Sequence, residues 1–388
     1  MRVAIYADPA FASSAGIEQV SRHIISQCIK KYDKVGIITG SDFRERAVQT
    51  FGTHSNVEYI TLMLNRRSLY LTWGLLGLPR LEGILSGYDV LLATSHIYLP
   101  SRRVPKLAIL HDLVILHHSE DFTLFERIIK PFIVKKFVRT CDHLISDSEF
   151  TKEDAISLLS VPRSKISVAY LGYNNKLYNT LPSNPAYIRT MGITGPYVLY
   201  VGSLYPRRYT RLVEGFSIMK QEWRRPEKLV IVGAREHKKR GVPTLAEKIS
   251  VLHCKDDVIL AENVADEEVS VLMKNASVFI YPSAFEGFGI PPLEAMACGV
   301  PVIVGKNSSL PELYGDSAYM INDVYDEREI ARALNTVLSD KQLQAGMRAD
   351  SLRNASKFSW ENYGERVFTQ IDALGEKTSK NAVEAKNR

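Results

Sequence analysis

Short apolar segments alternate with amphipathic helical segments from one end of the chain to the other. The first apolar segment is RVAIYA at residues 2–7, and Ile17, Val20 and Ile24 recur behind it at helical spacing. Strands separated by helices are typical of βαβ units, which build a parallel sheet covered by helices on both faces. The alternation therefore predicts an α/β protein.

The alternation is interrupted once and then starts again. Residues 172–195 are rich in Asn, Gly and Pro, and a new apolar strand begins at Tyr197. The chain has 388 residues, enough for two hydrophobic cores. We predict two doubly wound, Rossmann-like domains whose ligand-binding cleft lies at the carboxyl ends of their strands. The predicted parts are residues 1–175, a connection at 176–195, residues 196–357, a helix at 358–375 and a flexible tail at 376–388.

One segment, YPSAFEGFGIPPLEAMACGVP at residues 281–301, carries the strongest functional signal. A predicted strand ends at its start, and Pro291 and Pro292 suit the first turn of the helix that follows. Glu286 and Glu294 would flank the amino end of this helix, where N–H groups and the helix dipole favour an anion such as a diphosphate. Glycines in the intervening loop would let a ligand approach the backbone.

This segment resembles the signature of the retaining GT-B glycosyltransferases of family four, in which seven residues separate two glutamates. The resemblance covers nearly the whole chain and implies a nucleotide-diphospho-sugar as donor. It implies that Glu286 contacts the donor sugar and that Glu294 contacts the ribose. It also places the loop between them at the donor: Gly287, Phe288, Gly289 and Ile290. A helix matching residues 358–375 crosses back to the N-terminal domain in this family.

The resemblance assigns roles to residues outside this segment. Arg207 and Arg208 stand where the family has the basic pair that holds the donor diphosphate, and guanidinium groups pair well with phosphate. His111 and Asp112 follow an apolar strand in the position of the family's His-Asp segment, where the histidine contacts the donor sugar. Gly16 matches the glycine loop after the first strand, although Ala15 replaces the second glycine of that loop. Val264 falls in the loop that faces the nucleotide base.

Composition excludes several other classes of protein. The net charge of +6 is compatible with an anionic ligand or membrane face, and no nucleic-acid-binding motif accompanies it. We expect no metal, because Asp-x-Asp is absent and His117 and His118 lack a third ligand at suitable spacing. We expect no cofactor, because the nucleotide-sugar is a substrate. Four widely spaced cysteines indicate buried thiols in a reducing cytoplasm. No run of 18 apolar residues predicts a membrane span.

The most direct functional hypothesis is a hexosyltransferase of surface polysaccharide synthesis, with GDP-mannose as first choice of donor and a glycan or lipid-linked saccharide as acceptor. The alternatives are a non-catalytic sugar-nucleotide-binding subunit and a nucleotide-dependent oxidoreductase. The chain lacks the G-x-G-x-x-G that dinucleotide-binding enzymes carry after a first strand, which argues against an oxidoreductase.

Two further segments combine cations with bulky apolar residues. The first is residues 62–81, with Arg66, Arg67 and Arg80, and the second is a helix near residues 127–139 with several Lys and Arg. Such mixtures are typical of surfaces that rest on anionic headgroups, and equally of ordinary surface helices. We expect peripheral contact with the inner face of the membrane.

Overall fold

The computed structural model describes residues 1–11, 15–203, 206–233 and 244–386, and for Ala15, 206–210 and 378–386 it describes the backbone alone. The chain divides into two compact units. Unit 1 comprises Met1–Leu171 and Trp360–Arg388, and unit 2 comprises Gly172–Ser359.

Unit 1 is built on a parallel sheet in the order β3-β2-β1-β4-β5-β6-β7. Its strands are β1 Arg2–Tyr6, β2 Lys34–Thr39, β3 Val57–Thr61, β4 Val90–Ala93, β5 Lys106–Leu110, β6 His143–Ser146 and β7 Ile166–Val168. The helices between them are α1 Ala15–Lys31, α2 Arg44–Phe51, α3 Arg66–Leu75, α4 Val114–His117, α5 Leu124–Thr140 and α6 Glu149–Leu159.

Unit 2 repeats this plan with a parallel sheet in the order β10-β9-β8-β11-β12-β13. Its strands are β8 Tyr197–Val201, β9 Lys228–Gly233, β10 Val258–Glu262, β11 Val278–Tyr281, β12 Val302–Gly305 and β13 Tyr319–Ile321. Its helices are α7 Ala186–Thr190, α8 Pro206–Trp223, α9 Leu245–Ser250, α10 Asp266–Asn275, α11 Ile290–Ala297, α12 Leu310–Tyr314, α13 Glu327–Ser339 and α14 Lys341–Ala355.

These sheets confirm the predicted doubly wound architecture. The central strands are buried on both faces, which is why their sequences are continuous apolar runs rather than alternating ones. The sequence missed β3, a partly exposed edge strand, and β13, which is only three residues long. In both sheets the strand order reverses once, at β1/β4 in unit 1 and at β8/β11 in unit 2. Ligands of such sheets bind beside the carboxyl ends of the strands at this switch point.

The last helix, α15 Trp360–Lys386, packs within unit 1 although it follows unit 2 in the chain. The Gln27 amide donates to the Trp360 carbonyl at 2.8 Å, and the Tyr32 hydroxyl donates to Asp372 at 3.0 Å. The backbone helix continues to Lys386, beyond the predicted end at residue 375. Glu, Lys and Ala dominate this extension, and no proline interrupts it, so it has good intrinsic helix propensity.

The predicted connection at residues 176–195 packs as part of unit 2. Ile188 and Ile193 are buried there, and the Lys274 ammonium donates to the Asn179 amide oxygen at 3.0 Å. This segment therefore belongs to the fold of unit 2, and the division between the units falls earlier, at Leu171 and Gly172.

The cysteines match the expectation of buried thiols. Cys28, Cys141, Cys254 and Cys298 are all free and buried.

Candidate functional site

Glu286 lies in the loop after β11, beside the switch point of unit 2. Its carboxylate atom Oε1 accepts hydrogen bonds from the Ser283 hydroxyl at 2.6 Å and the Tyr281 hydroxyl at 3.0 Å. Its backbone is held by two more serines: its N–H donates to Ser308 Oγ at 2.9 Å, and Ser309 Oγ donates to its carbonyl at 2.9 Å. The carboxylate is therefore held in position by side chains of the protein itself.

Gly289 is the residue at which the loop turns into α11. It has φ +84°, a left-handed conformation that strongly favours glycine. A Cβ atom at this position would lie 3.1 Å from the Leu310 side chain. The Gly289 carbonyl accepts from the buried Tyr314 hydroxyl at 2.7 Å, so the turn is anchored to α12. Phe288 is buried with its ring edge-on to Phe358, and Gly287 and Ile290 are also buried.

Pro291 and Pro292 lie in the first turn of α11, as predicted. The helix begins at Ile290, so Pro291 and Pro292 fill the two positions that follow. Proline has no N–H, and the first turn of this helix therefore offers fewer donors to an anion than a helix amino end normally does.

Glu294 is a buried carboxylate in the middle of α11, with 7% of its surface exposed. Its charge contributes to the pKa values of two buried tyrosines. The pKa of Tyr178 is raised, first by burial and then by Glu294, and the pKa of Tyr314 is raised by burial and by both glutamates. Glu286 and Glu294 thus act on one common side chain, Tyr314, which places both predicted glutamates around the same turn.

Other predicted donor-site residues follow the carboxyl ends of β8 and β10 in unit 2. Arg207 and Arg208 belong to the first turn of α8, directly after β8, and their side chains lie outside the described residues. Val264 is partly buried in the loop between β10 and α10, next to Asn263 with φ +57°. Asparagine is one of the residues that tolerate this conformation.

His111 ends β5 in unit 1 and is 5% exposed. Its Nδ1 lies 2.7 Å from Asp147 Oδ2, and its Nε2 lies 3.0 Å from the Thr94 carbonyl oxygen. With Asp147 ionised, both partners accept, so both ring nitrogens carry a proton. Burial raises the pKa of Asp147, while the charge and hydrogen bond of His111 lower it. Burial acts most strongly on the pKa of His111 and lowers it, but Asp147, the Thr94 carbonyl and Asp112 together raise that pKa above its ordinary value. The geometry describes a buried imidazolium.

Asp112 and Gly16 occupy more local roles than the sequence indicated. Asp112 Oδ1 accepts from the Val114 backbone N–H at 3.0 Å and so supports the start of α4. Gly16 lies in the first turn of α1 rather than in the preceding loop, because α1 already begins at Ala15. The loop residues Ser13 and Ser14 lie outside the described residues.

Sequence reasoning missed three titratable residues at the same edge of the unit 1 sheet. Asp147 directly follows β6, and the next residue, Ser148, caps α6 by accepting from the Thr151 N–H at 3.1 Å. Asp8 follows β1, is fully buried and accepts from the Tyr6 hydroxyl at 2.6 Å; burial raises its pKa to about 6. His96 follows β4, and burial lowers its pKa to about 4. A titratable residue within three residues of the end of an apolar strand is the signal that could have found each of them.

The fold is that of a GT-B glycosyltransferase, and the chain belongs to family four of these enzymes. The model of the family "Glycosyl transferases group 1" matches residues 191–355, and that of "Glycosyltransferase Family 4" matches residues 14–176.

Individual relatives agree with this assignment. The chain is 25% identical over 380 residues to O-antigen chain mannosyltransferase B of Escherichia coli, covering 93% of this chain and 97% of the relative. It is 26% identical to the O-antigen chain mannosyltransferase RfbU of Salmonella typhimurium, over 65% of each chain. Its fold is similar to that of Anabaena Alr3699/HepE, solved in complex with UDP-glucose, with a TM-score of 0.73, 18% identity and coverage of 96% and 100%.

Proposed function

We propose that this protein is a retaining hexosyltransferase that transfers mannose, with GDP-mannose as first choice of donor, to a glycan or lipid-linked saccharide during surface polysaccharide synthesis. The observation that carries the proposal is the fixed Glu286 carboxylate beside the switch point of unit 2, near the buried Glu294 on α11. The choice of mannose is supported by the O-antigen mannosyltransferases among the relatives.

In the proposed reaction the bond between the sugar C1 and the β-phosphate oxygen breaks, and a bond from C1 to the acceptor oxygen forms on the same face. The acceptor proton passes to the leaving phosphate, so no protein nucleophile is required. Charge that develops on the diphosphate is stabilised by Arg207 and Arg208, which follow β8. Glu286 orients the donor sugar, and Glu294 accepts hydrogen bonds from the ribose. We propose that this transfer needs no metal or cofactor.

The imidazolium of His111 has a defined position in this proposal. Its Nε2 proton now points to the Thr94 carbonyl at 3.0 Å. A contact with the donor sugar would therefore replace or share that hydrogen bond, while Nδ1 stays on Asp147. Asp147 would act as a positioning residue that keeps the ring charged and oriented.

We further propose that the enzyme works at the cytoplasmic face of the membrane, where a lipid-linked acceptor is accessible. Among the described residues, no helix combines the length and apolar character needed to cross a membrane. Contact with the lipid would therefore be peripheral.

The test is a panel of nucleotides and nucleotide sugars, first by thermal shift and then by turnover with a lipid-linked saccharide. A true donor at a hundredfold excess over its Kd stabilises the fold by about 2.7 kcal/mol. Glu286→Gln should bind the nucleotide with little change but lose most turnover, while the control Glu222→Gln, an exposed residue on α8, should match the wild type. Binding of a nucleotide sugar with neither transfer nor hydrolysis would instead identify a non-catalytic sugar-nucleotide-binding subunit.

A further inference from the structure

Helices α3 and α5 of unit 1 expose large apolar side chains to solvent. Ile128 is 73% exposed and Leu76 is 71% exposed. Other large apolar side chains at the end of α3 and on α5 are also exposed to solvent. An exposed apolar cluster of this kind marks an interaction site rather than ordinary surface. We call it the apolar face, defined by Leu75, Leu76, Leu78, Phe125, Ile128 and Phe132.

The two helices that carry the apolar face pack directly against each other. Gly74 of α3 is buried, and a Cβ atom there would lie 2.5 Å from the Ile133 side chain of α5. The Lys136 ammonium donates to the Gly74 carbonyl at 2.9 Å and to the Trp73 carbonyl at 3.3 Å. Lys136, one of the cations singled out in the sequence, therefore has a structural role in joining α3 to α5.

The exposed side of α5 is apolar near the start of the helix and cationic near its end. Ile128 and Phe132 are followed on the same side of the helix by Lys135 and Arg139, which are also exposed. The apolar half of the helix thus leads into a cationic half. Thr140, at the end of the helix, lies about 12 Å from Phe132 along the helix axis.

The cationic end of α5 leads to a groove of about 680 Å³. We call it the basic groove; its lining includes the cations Arg102, Arg103, Lys106 and Lys377, together with Tyr98, Ser101 and one carboxylate, Asp142. Tyr98 joins the two features, because the Lys136 ammonium lies 4.2 Å from its ring and the Lys106 ammonium 5.8 Å from it. The basic groove therefore borders the helices that carry the apolar face.

Lys106 differs from the other cations of the groove because it is buried. It is 7% exposed, and its ammonium donates to the Ser101 carbonyl at 2.9 Å. Asp142 Oδ2 accepts from the backbone N–H of Lys106 at 2.8 Å, and no ion pair of the ammonium is found among the described residues. The hydroxyl of Ser101, 2% exposed, also has no hydrogen-bond partner in the described part of the chain. Burial lowers the pKa of Lys106. The charges of Asp142 and Glu82 raise that pKa, and an anion in the groove would stabilise the ammonium further.

We propose that the apolar face and the basic groove together dock unit 1 on an anionic phospholipid surface, with the apolar face at the boundary between headgroups and acyl chains. One lipid phosphate would occupy the basic groove against Lys106 and the two arginines. This inference deepens the proposed function, on which it rests, by assigning the residues that make the membrane contact. Exposed apolar side chains can bury at the acyl-chain boundary of a membrane, and clustered cations are attracted to its anionic headgroups.

The test is co-sedimentation of the full-length protein with vesicles of phosphatidylcholine alone and of phosphatidylcholine mixed with phosphatidylglycerol. Arg102→Gln/Arg103→Gln should weaken binding to the anionic vesicles about 25-fold, since each cation near the surface contributes about fivefold. The control Lys30→Gln/Arg44→Gln makes the same change in net charge at exposed positions on α1 and α2 and should lose much less. Lys106→Gln keeps a donor for the Ser101 carbonyl and should reduce the preference for anionic over neutral vesicles.

The apolar face has its own variant, Ile128→Ser/Phe132→Ser, which should lose binding to both kinds of vesicle. Equal losses in the arginine and control variants would overturn the basic groove as a phosphate site. Unchanged binding of the serine variant would overturn the apolar face. A wild-type dimer that the serine variant abolishes, with no vesicle binding, would assign the face to a second copy of the chain. Donor hydrolysis in vesicle-free buffer should be unchanged in all these variants, so its absence from the wild type would count against the proposed function and not against docking.

Discussion

Replacing Asp147 tests whether His111 is held as an imidazolium inside unit 1. The ring and the carboxylate are 6% and 3% exposed at a distance of 2.7 Å, so water screens this pair very little. Asp147→Ala would leave the ring without its counter-charge, and breaking a buried pair in this way costs about 3–5 kcal/mol. In Asp147→Asn the new amide can donate to a neutral Nδ1 while Nε2 still donates to Thr94. That variant should lose about 1–2 kcal/mol, the difference between a charged and a neutral hydrogen bond.

The pH dependence separates the two states of the ring. The pKa of His111 is raised in the folded protein, so the stability that the charged pair contributes is complete below the unfolded pKa, near 6.5. It is lost as the pH rises through the folded pKa. In Asp147→Asn, burial favours the neutral ring and stability falls on acidification instead. The difference in the free energy of unfolding between wild type and variant should therefore be largest near pH 5 and smallest near pH 9.

The assay is urea unfolding followed by tryptophan fluorescence in a Trp223→Phe background. Of the three tryptophans, Trp73 and Trp360 then remain, and both belong to unit 1, so the signal reports that unit alone. His117→Gln, which removes a partly exposed histidine paired with Asp154, is the matched control. A difference between wild type and Asp147→Asn that stays constant from pH 5 to pH 9 would show that His111 is neutral in the folded protein.

Three further predictions concern the donor site. Glu294→Gln should weaken nucleotide binding by about 1.5–3 kcal/mol while the fold is kept, and unchanged affinity by calorimetry would remove the ribose contact. Arg207→Ala and Arg208→Ala should each lower turnover more than the melting temperature, because the contact tightens as charge develops on the leaving group. Wild-type turnover in both single variants and in the double variant would move the diphosphate site elsewhere. Turnover should persist in EDTA; loss on chelation and recovery with magnesium or manganese would contradict metal independence.

The local pattern of the sequence was sufficient for the architecture. Buried parallel strands must be apolar on both faces, so β1, β4, β5, β8, β9, β11 and β12 were all visible as apolar runs. The turn from β11 into α11 was also predictable from the sequence, because it depends on glycine and proline residues that lie close together in the chain. Only its exact start at Ile290 needed the structure.

Contacts between distant segments were decided by the tertiary structure. His111 meets Asp147 because β5 and β6 are neighbours in the sheet, with Leu110 opposite Ser146, and the sequence contains no record of that register. The membrane hypothesis shows the same limit. Periodicity marked α5 as amphipathic, but Ile133 and Phe137 face the core while Ile128 and Phe132 face solvent. A sequence pattern reports which side chains share a face of a helix; which of those faces stays uncovered depends on how the neighbouring elements pack.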